Sequence, residues 1–73
     1  MLKLFTADWC ANCKGLKKLL DSLDVAYEVI DVDKESEEAM KLNIRALPTL
    51  YCPETQRKLI GNVTKQQLEE FIS

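Results

Sequence analysis

The sequence contains no histidine, and glycine and proline occur only twice each in 73 residues. Without histidine, a Ser-His-Asp triad and any other acid–base chemistry that depends on an imidazole are excluded. The chain shows no linker, internal repeat or low-complexity tract, and 73 residues leave no room for a second domain. We therefore expect a single domain over residues 1–73.

Long apolar runs and an excess of positive charge are also missing. The apolar start at residues 1–5 is too short for a signal peptide, and charged residues interrupt every later stretch before it reaches transmembrane length. The chain has ten Lys and Arg and twelve Asp and Glu, which gives a net charge of −2. It therefore lacks the excess of positive charge that binding to a nucleic acid requires. We expect a mature cytoplasmic protein whose partners include neither nucleic acid nor a membrane.

The spacing of apolar residues alternates between strand-like and helix-like along the chain. The predicted strands span Leu2–Thr6, Val25–Val32, Thr49–Cys52 and Arg57–Ile60, and the predicted helices span Ala11–Leu23, Ser36–Leu42 and a last segment that follows Thr64. The order is β-α-β-α-β-β-α. A parallel crossover followed by a hairpin predicts an α/β fold with a four-stranded mixed sheet that is flanked by helices.

Turn and cap residues separate these elements. Asn43 suits a left-handed position after the second helix, residues 53–56 suit a turn, and Gly61 and Asn62 suit another. The last helix begins with the capping-box pattern of Thr64 and Gln67.

Two of the three cysteines, Cys10 and Cys13, lie at the predicted junction between the first strand and the first helix. The helix N-terminus offers unpaired N–H groups and the positive end of its dipole, which favours the Cys10 thiolate. Cys13, one turn later, points more toward the sheet and is expected to be less exposed and less acidic. The pair predicts a dithiol that exchanges with disulfides, with Cys10 as an exposed nucleophile and Cys13 as the resolving thiol.

Other interpretations of the cysteines are less well supported. Zinc and iron–sulfur sites also use C-x-x-C, but they usually need a second pair or histidines. A metal module of Cys10, Cys13 and Cys52, within one chain or shared across a dimer, is one alternative, and a non-catalytic adaptor with vestigial cysteines is another. Cys52 itself is expected to be a buried, inert thiol.

Three segments together resemble the thioredoxin family over nearly the whole chain. Residues 7–14, Ala-Asp-Trp-Cys-Ala-Asn-Cys-Lys, are similar to the Trp-Cys-Gly-Pro-Cys-Lys active-site segment, and residues 43–50 are similar to the segment with a cis proline before Thr. Gly61, the cap at Thr64 and Phe71 match the closing glycine and final helix. The family's N-terminal strand and helix are absent, which leaves the core that is shared with glutaredoxins. The resemblance implies a minimal thioredoxin fold.

The resemblance also implies a set of site residues. The implied catalytic residues are Cys10 and Cys13, the substrate-binding residues are Trp9, Leu47, Pro48 and Thr49, and the supporting residues are Ala11, Asn12 and Lys14. Leu47–Pro48 is expected to be a cis peptide. Ala11-Asn12 replaces the family's Gly-Pro, which is expected to change thiolate stabilisation and redox potential. The buried acid that thioredoxins carry six residues before the first cysteine is Leu4 here, and Asp8 is expected to be a solvated loop residue.

The implied activity is the reduction of protein disulfides, with no bound cofactor. Electrons would come from an NADPH-linked, flavin-dependent thioredoxin reductase or from glutathione. The implied partners are that reductase and disulfide-containing proteins, with ribonucleotide reductase as a target by family analogy, and the protein is expected to be a monomer. A glutathione-dependent, glutaredoxin-like reductase is the alternative, although the glutaredoxin Gly-Gly motif is represented only by residues 61–64.

Overall fold

Four strands and three helices make up the computed structural model, which describes residues 1–61 and 63–72. The elements are β1 (Leu2–Thr6), α1 (Ala11–Ser22), β2 (Tyr27–Asp31), α2 (Ser36–Lys41), β3 (Thr49–Cys52), β4 (Arg57–Ile60) and α3 (Lys65–Ile72). The strands form one mixed sheet in the order β2-β1-β3-β4. β1 is parallel to β2 and antiparallel to β3, and β3 is antiparallel to β4. The predicted element order and sheet are confirmed.

The core lies on both faces of β1, because successive side chains of a strand point to opposite faces. Leu4 is completely buried against Leu16 and Leu20 of α1, in a cluster that α3 also joins. Phe5, equally buried, packs on the other face with Ile30 and with α2. The helices therefore cover both faces of the sheet. No helix in the described ranges has the length and apolar character needed to cross a membrane.

The second strand is shorter than the predicted Val25–Val32. Asp24 adopts a left-handed φ of 54°, and the Val25 N–H donates to the Leu20 carbonyl oxygen at 3.3 Å. Residue 25 therefore completes the turn that ends α1 instead of pairing in the sheet. Leu23 and Leu42 cap the ends of α1 and α2, so each of these helices ends one residue earlier than predicted.

The other turn and cap predictions agree with the structure. Asn43 has a φ of 56°, and the Gln56 N–H closes the turn over residues 53–56 by donating to the Cys52 carbonyl oxygen at 2.7 Å. At the start of α3, the Thr64 N–H donates to Gln67 Oε1 at 2.9 Å, and the Gln67 N–H donates to Thr64 Oγ1 at 3.1 Å. The predicted turn at Gly61 includes Asn62, which lies outside the described residues.

The reciprocal bonds of Thr64 and Gln67 predict a measurable contribution to stability. Replacing Thr64→Ala removes the acceptor of the Gln67 N–H, and we expect the free energy of unfolding to fall by about 1 kcal/mol. Urea unfolding followed by circular dichroism measures it. Gln66→Ala, at an exposed position of the same helix, is the matched control, with an expected change within about 0.5 kcal/mol. Equal losses in both variants would contradict the capping role.

Candidate active site

The chain leaves β1 in a tight turn that places Cys10 at the start of α1. The Cys10 N–H donates to the Ala7 carbonyl oxygen at 3.0 Å, and Cys10 keeps an extended conformation with φ −87° and ψ 99° as the N-cap residue. Its side chain makes no capping hydrogen bond, and the first turn of α1 carries no acidic residue. The free N–H groups and the positive end of the helix dipole therefore act on the Cys10 sulfur without a competing negative charge in that turn.

Cys10 and Cys13 form a disulfide, with their Cα atoms 5.5 Å apart. Cys10 is 8% exposed and Cys13 is 1% exposed, so the predicted order of accessibility is confirmed. The expectation that Cys10 would be openly exposed was wrong. Its side chain packs in a small cluster with Ala7 and Cys13, against which Val32 and Leu47 also lie. Little of the Cys10 surface is therefore open to a disulfide substrate.

The segment that precedes β3 forms one wall of this site. Because β3 runs antiparallel to β1, its first residues lie at the end of the sheet where β1 finishes. The Leu47–Pro48 peptide is cis, as the resemblance implied, and Pro48 is buried. The Thr49 hydroxyl donates to the Ala46 carbonyl oxygen at 2.5 Å, and the Gly61 N–H donates to the Pro48 carbonyl oxygen at 2.8 Å. These two hydrogen bonds fix the segment at residues 46–49, which forms this wall.

Trp9 projects from the turn before the cysteines and is 70% exposed. Its indole N–H donates to Asp33 Oδ2 at 3.0 Å, so the ring is held although it faces solvent. A shallow cavity of about 160 Å³ separates the ring from residues 44–47. Asp33 was not among the predicted site residues, because it begins a charge-rich run at residues 33–38, and such a run usually marks a solvated helix start. The contact with Trp9 depends on where the sheet places β2, which local sequence does not reveal.

The three supporting residues are all exposed and lie in the first turns of α1. Ala11 and Asn12 border a groove of about 320 Å³ that runs along this helix toward Val63. Lys14 lies on another side of the helix and lines a cavity beside the cysteines. Lys14 therefore places a positive charge close to the dithiol, which favours its thiolate form.

The cavity beside the cysteines has a volume of about 180 Å³. It is lined by Thr6, Ala7, Asp8, Cys10, Cys13, Lys14, Lys17, Val29 and Asp31. Asp8 is exposed, as expected, whereas Asp31 is half-buried at the end of β2. Asp31 was not among the predicted site residues either, because it is the pairing of Asp31 with Thr6 that brings it to this end of the sheet.

Cys52 lies at the opposite end of β3, away from the cysteine pair. It is half-buried instead of fully buried, because it ends the strand, and its thiol donates to Glu54 Oε2 at 3.4 Å. The N-terminal ammonium group of Met1, followed by local backbone and Cys52 hydrogen bonds, lowers the pKa of Glu54 to about 2. Over the described part of the chain, no three Cys, Asp or Glu side chains gather as a metal site. Among the described residues, therefore, the structure does not bring Cys52 together with the cysteine pair inside one chain.

Together, the sheet, the dithiol at a helix N-terminus and the adjacent cis proline define a thiol–disulfide exchange protein of the thioredoxin fold. The thioredoxin family model matches residues 1–73, and the chain belongs to this family. A cysteine pair at disulfide distance fits a thiol–disulfide oxidoreductase, and the family generally acts on disulfide-containing proteins and is reduced by a reductase.

Several relatives agree with this assignment. Thioredoxin from Gallus gallus is 32% identical over 75 residues, which cover 93% of this chain and 71% of that protein. Thioredoxin from Buchnera aphidicola is 31% identical over 78 residues, with coverages of 94% and 72%. The structure of a mutant thioredoxin from Halobacterium salinarum superposes with a TM-score of 0.84 at 29% identity, over 97% of this chain and 69% of that one. Protein XcR50 from X. campestris, at 20% identity and a TM-score of 0.78, shares the fold over 99% and 95%.

The two sulfurs are predicted to differ in reactivity once the disulfide is reduced. With limiting iodoacetamide near neutral pH, we expect Cys10 to be alkylated at least about tenfold faster than Cys13, because a helix N-terminus lowers a thiol pKa by one unit or more. Peptide mass spectrometry measures each site. Cys52 is the internal control, since it is more exposed than Cys10. If exposure alone decided the rate, Cys52 would react first, and that order would contradict the prediction.

Proposed function

We propose that this protein reduces disulfide bonds in other proteins by dithiol–disulfide exchange. The observation that carries the proposal is the position of Cys10, the more exposed cysteine of the pair, at the N-terminus of α1. The Cys10 thiolate attacks a substrate disulfide and forms a mixed disulfide, and one substrate sulfur leaves as a thiolate. Cys13 then attacks Cys10 Sγ, which releases the second substrate sulfur and forms the Cys10–Cys13 disulfide.

The substrate-binding surface that we propose consists of Trp9 and residues 47–49. The Leu47 N–H and C=O make no hydrogen bond to any residue in the ranges 1–61 and 63–72, so both remain open to an extended substrate strand. The exposed Trp9 ring, held by Asp33, provides a flat apolar contact across the cavity that Trp9 and Leu47 both line. A backbone contact and an aromatic ring suit polypeptide disulfides of many sequences, with ribonucleotide reductase as one such target.

We propose an NADPH-linked thioredoxin reductase as the electron donor, in a reducing compartment such as the cytoplasm. The support comes from the Trp9 and Leu47-Pro48-Thr49 surroundings of the dithiol and from relatives that are named thioredoxins. Regeneration requires two electrons, which return the Cys10–Cys13 disulfide to two thiols.

The role of the cysteines is tested by the reduction of insulin disulfides with dithiothreitol as the reductant. Wild type is expected to accelerate precipitation of the insulin B chain, and Cys10→Ser is expected to reduce the rate to that of dithiothreitol alone. Cys13→Ser is expected to accumulate a mixed disulfide, visible by mass spectrometry, because the resolving thiol is missing. Cys52→Ser is the matched control and should keep the wild-type rate. Equal rates for wild type and Cys10→Ser would overturn the proposal.

The electron donor is tested by coupling the oxidised protein to two NADPH-consuming systems. One contains thioredoxin reductase, and the other contains glutathione with glutathione reductase. We expect NADPH consumption with the first system and only a background rate with the second. The reverse result would identify a glutathione-dependent, glutaredoxin-like reductase, and would overturn the proposed donor while leaving the roles of Cys10 and Cys13 intact.

A further inference from the structure

The exchange reaction requires Cys13 to lose a proton inside the protein. A thiolate, and not a thiol, attacks a disulfide, and an ordinary cysteine with a pKa of about 8.5 is mostly protonated at neutral pH. Cys13 is only 1% exposed, so bulk solvent has little access to its sulfur. Lys14 and Lys17 line the same cavity and favour the anion, but when charged they cannot accept a proton. A carboxylate in the cavity can do so.

The sheet brings such a carboxylate to the cavity that Cys13 lines. Leu4 pairs with Val29 and Thr6 pairs with Asp31, and neighbouring residues in a parallel pair share one face of the sheet. Leu4 packs against α1, the helix that carries Cys13, so Asp31 projects on that same side. Asp31 and Cys13 both line the cavity of about 180 Å³, which is wide enough for several water molecules.

Among the residues that the structure describes, the acidic ones that line this cavity are Asp8 and Asp31. Asp8 is exposed on the turn that follows β1, and no hydrogen bond within the described residues holds its carboxylate. Asp31 is half-buried, and its Oδ1 accepts the Asp33 N–H at 2.9 Å, which orients the carboxylate. Its carbonyl oxygen accepts the Lys34 and Glu35 N–H groups at 3.1 and 2.8 Å, so the backbone is also held.

We propose that Asp31 is the proton acceptor for Cys13 in the resolving step, an inference that rests on the proposed function. The Cys13 Sγ–H bond breaks, and its proton passes to the Asp31 carboxylate, directly or through water in the cavity. The Cys13 thiolate bonds to Cys10 Sγ while the bond from Cys10 to the substrate sulfur breaks, and that sulfur leaves with the electron pair. The two protein thiols are oxidised and the substrate disulfide is reduced. Asp31 then returns its proton to solvent.

The proposal is tested by stopped-flow release of thionitrobenzoate from its symmetrical disulfide. All proteins carry Cys52→Ser, which removes the third thiol, and are mixed reduced with one equivalent of the reagent. The first phase reports attack by Cys10, and the second reports resolution by Cys13, an assignment that Cys13→Ser verifies by losing the second phase. Asp31→Asn is the test variant, because the Asn side-chain oxygen can still accept the Asp33 N–H but cannot take up a proton. Asp8→Asn is the matched control.

For Asp31→Asn, the second phase is expected to slow at least about tenfold near neutral pH, a modest loss for a positioned proton acceptor. The difference from wild type should shrink above a pH of about 9, where the thiol ionises without help. The first phase, and both phases of Asp8→Asn, should match wild type. If the second phase had the same rate in Asp31→Asn and wild type at every pH, the proposal would be overturned. A decrease in that rate that is uniform across pH, or that Asp8→Asn shares, would overturn it as well. Absence of the first phase in wild type would instead refute the role of Cys10 and thus the proposed function.

Discussion

The enclosure of β1 is the constraint on which the site depends. Leu4 and Phe5 are completely buried on opposite faces of this strand, and β2 and β3 pair with its two edges. Each side chain of this size contributes about 1.5–3 kcal/mol when it leaves water. A strand that is packed on both faces and paired on both edges has no freedom to tilt or slide. The position of β1 therefore fixes where the turn after Thr6 begins, and so it also fixes the position of Cys10.

Two further features follow from this strand. Leu16 and Leu20 bind α1 to the Leu4 face, which sets the direction in which the helix leaves Cys10 and turns Cys13 toward the sheet. The antiparallel pairing of β3 brings residues 47–49 to the carboxyl end of β1, although α1, β2 and α2 lie between them in sequence. The dithiol and its apolar wall thus meet through pairing in the sheet, and not through any contact between neighbouring residues.

Local sequence predicts most of the fold because each element carries its own signal. The leucine spacing of α1, the turn at residues 53–56 and the box of Thr64 and Gln67 each depend on residues within one or two turns of one another. The cis peptide at Pro48 came from the family resemblance. The burial of Cys10 and the approach of Asp33 to Trp9 and of Asp31 to the cysteines were not predicted. These depend on the register of β1 with β2, and a shift of one residue would turn Asp31 to the other face.

With this register, one residue packs in the apolar core and a different residue carries the carboxylate. A single acidic residue at position 4 would have to do both. A carboxylate at position 4 would lie among Leu16, Leu20 and Leu68 with no exposure, where an ionised group loses several kcal/mol of hydration. Leu4 instead contributes its apolar surface to the core. Asp31 lies two residues further along the neighbouring strand from Val29, the partner of Leu4, where the sheet ends and Lys14 and Lys17 border an open cavity. A charge there keeps part of its hydration and can exchange its proton with solvent. In the proposed scheme, therefore, Leu4 stabilises the fold from within the core, and Asp31 at the end of β2 accepts the proton.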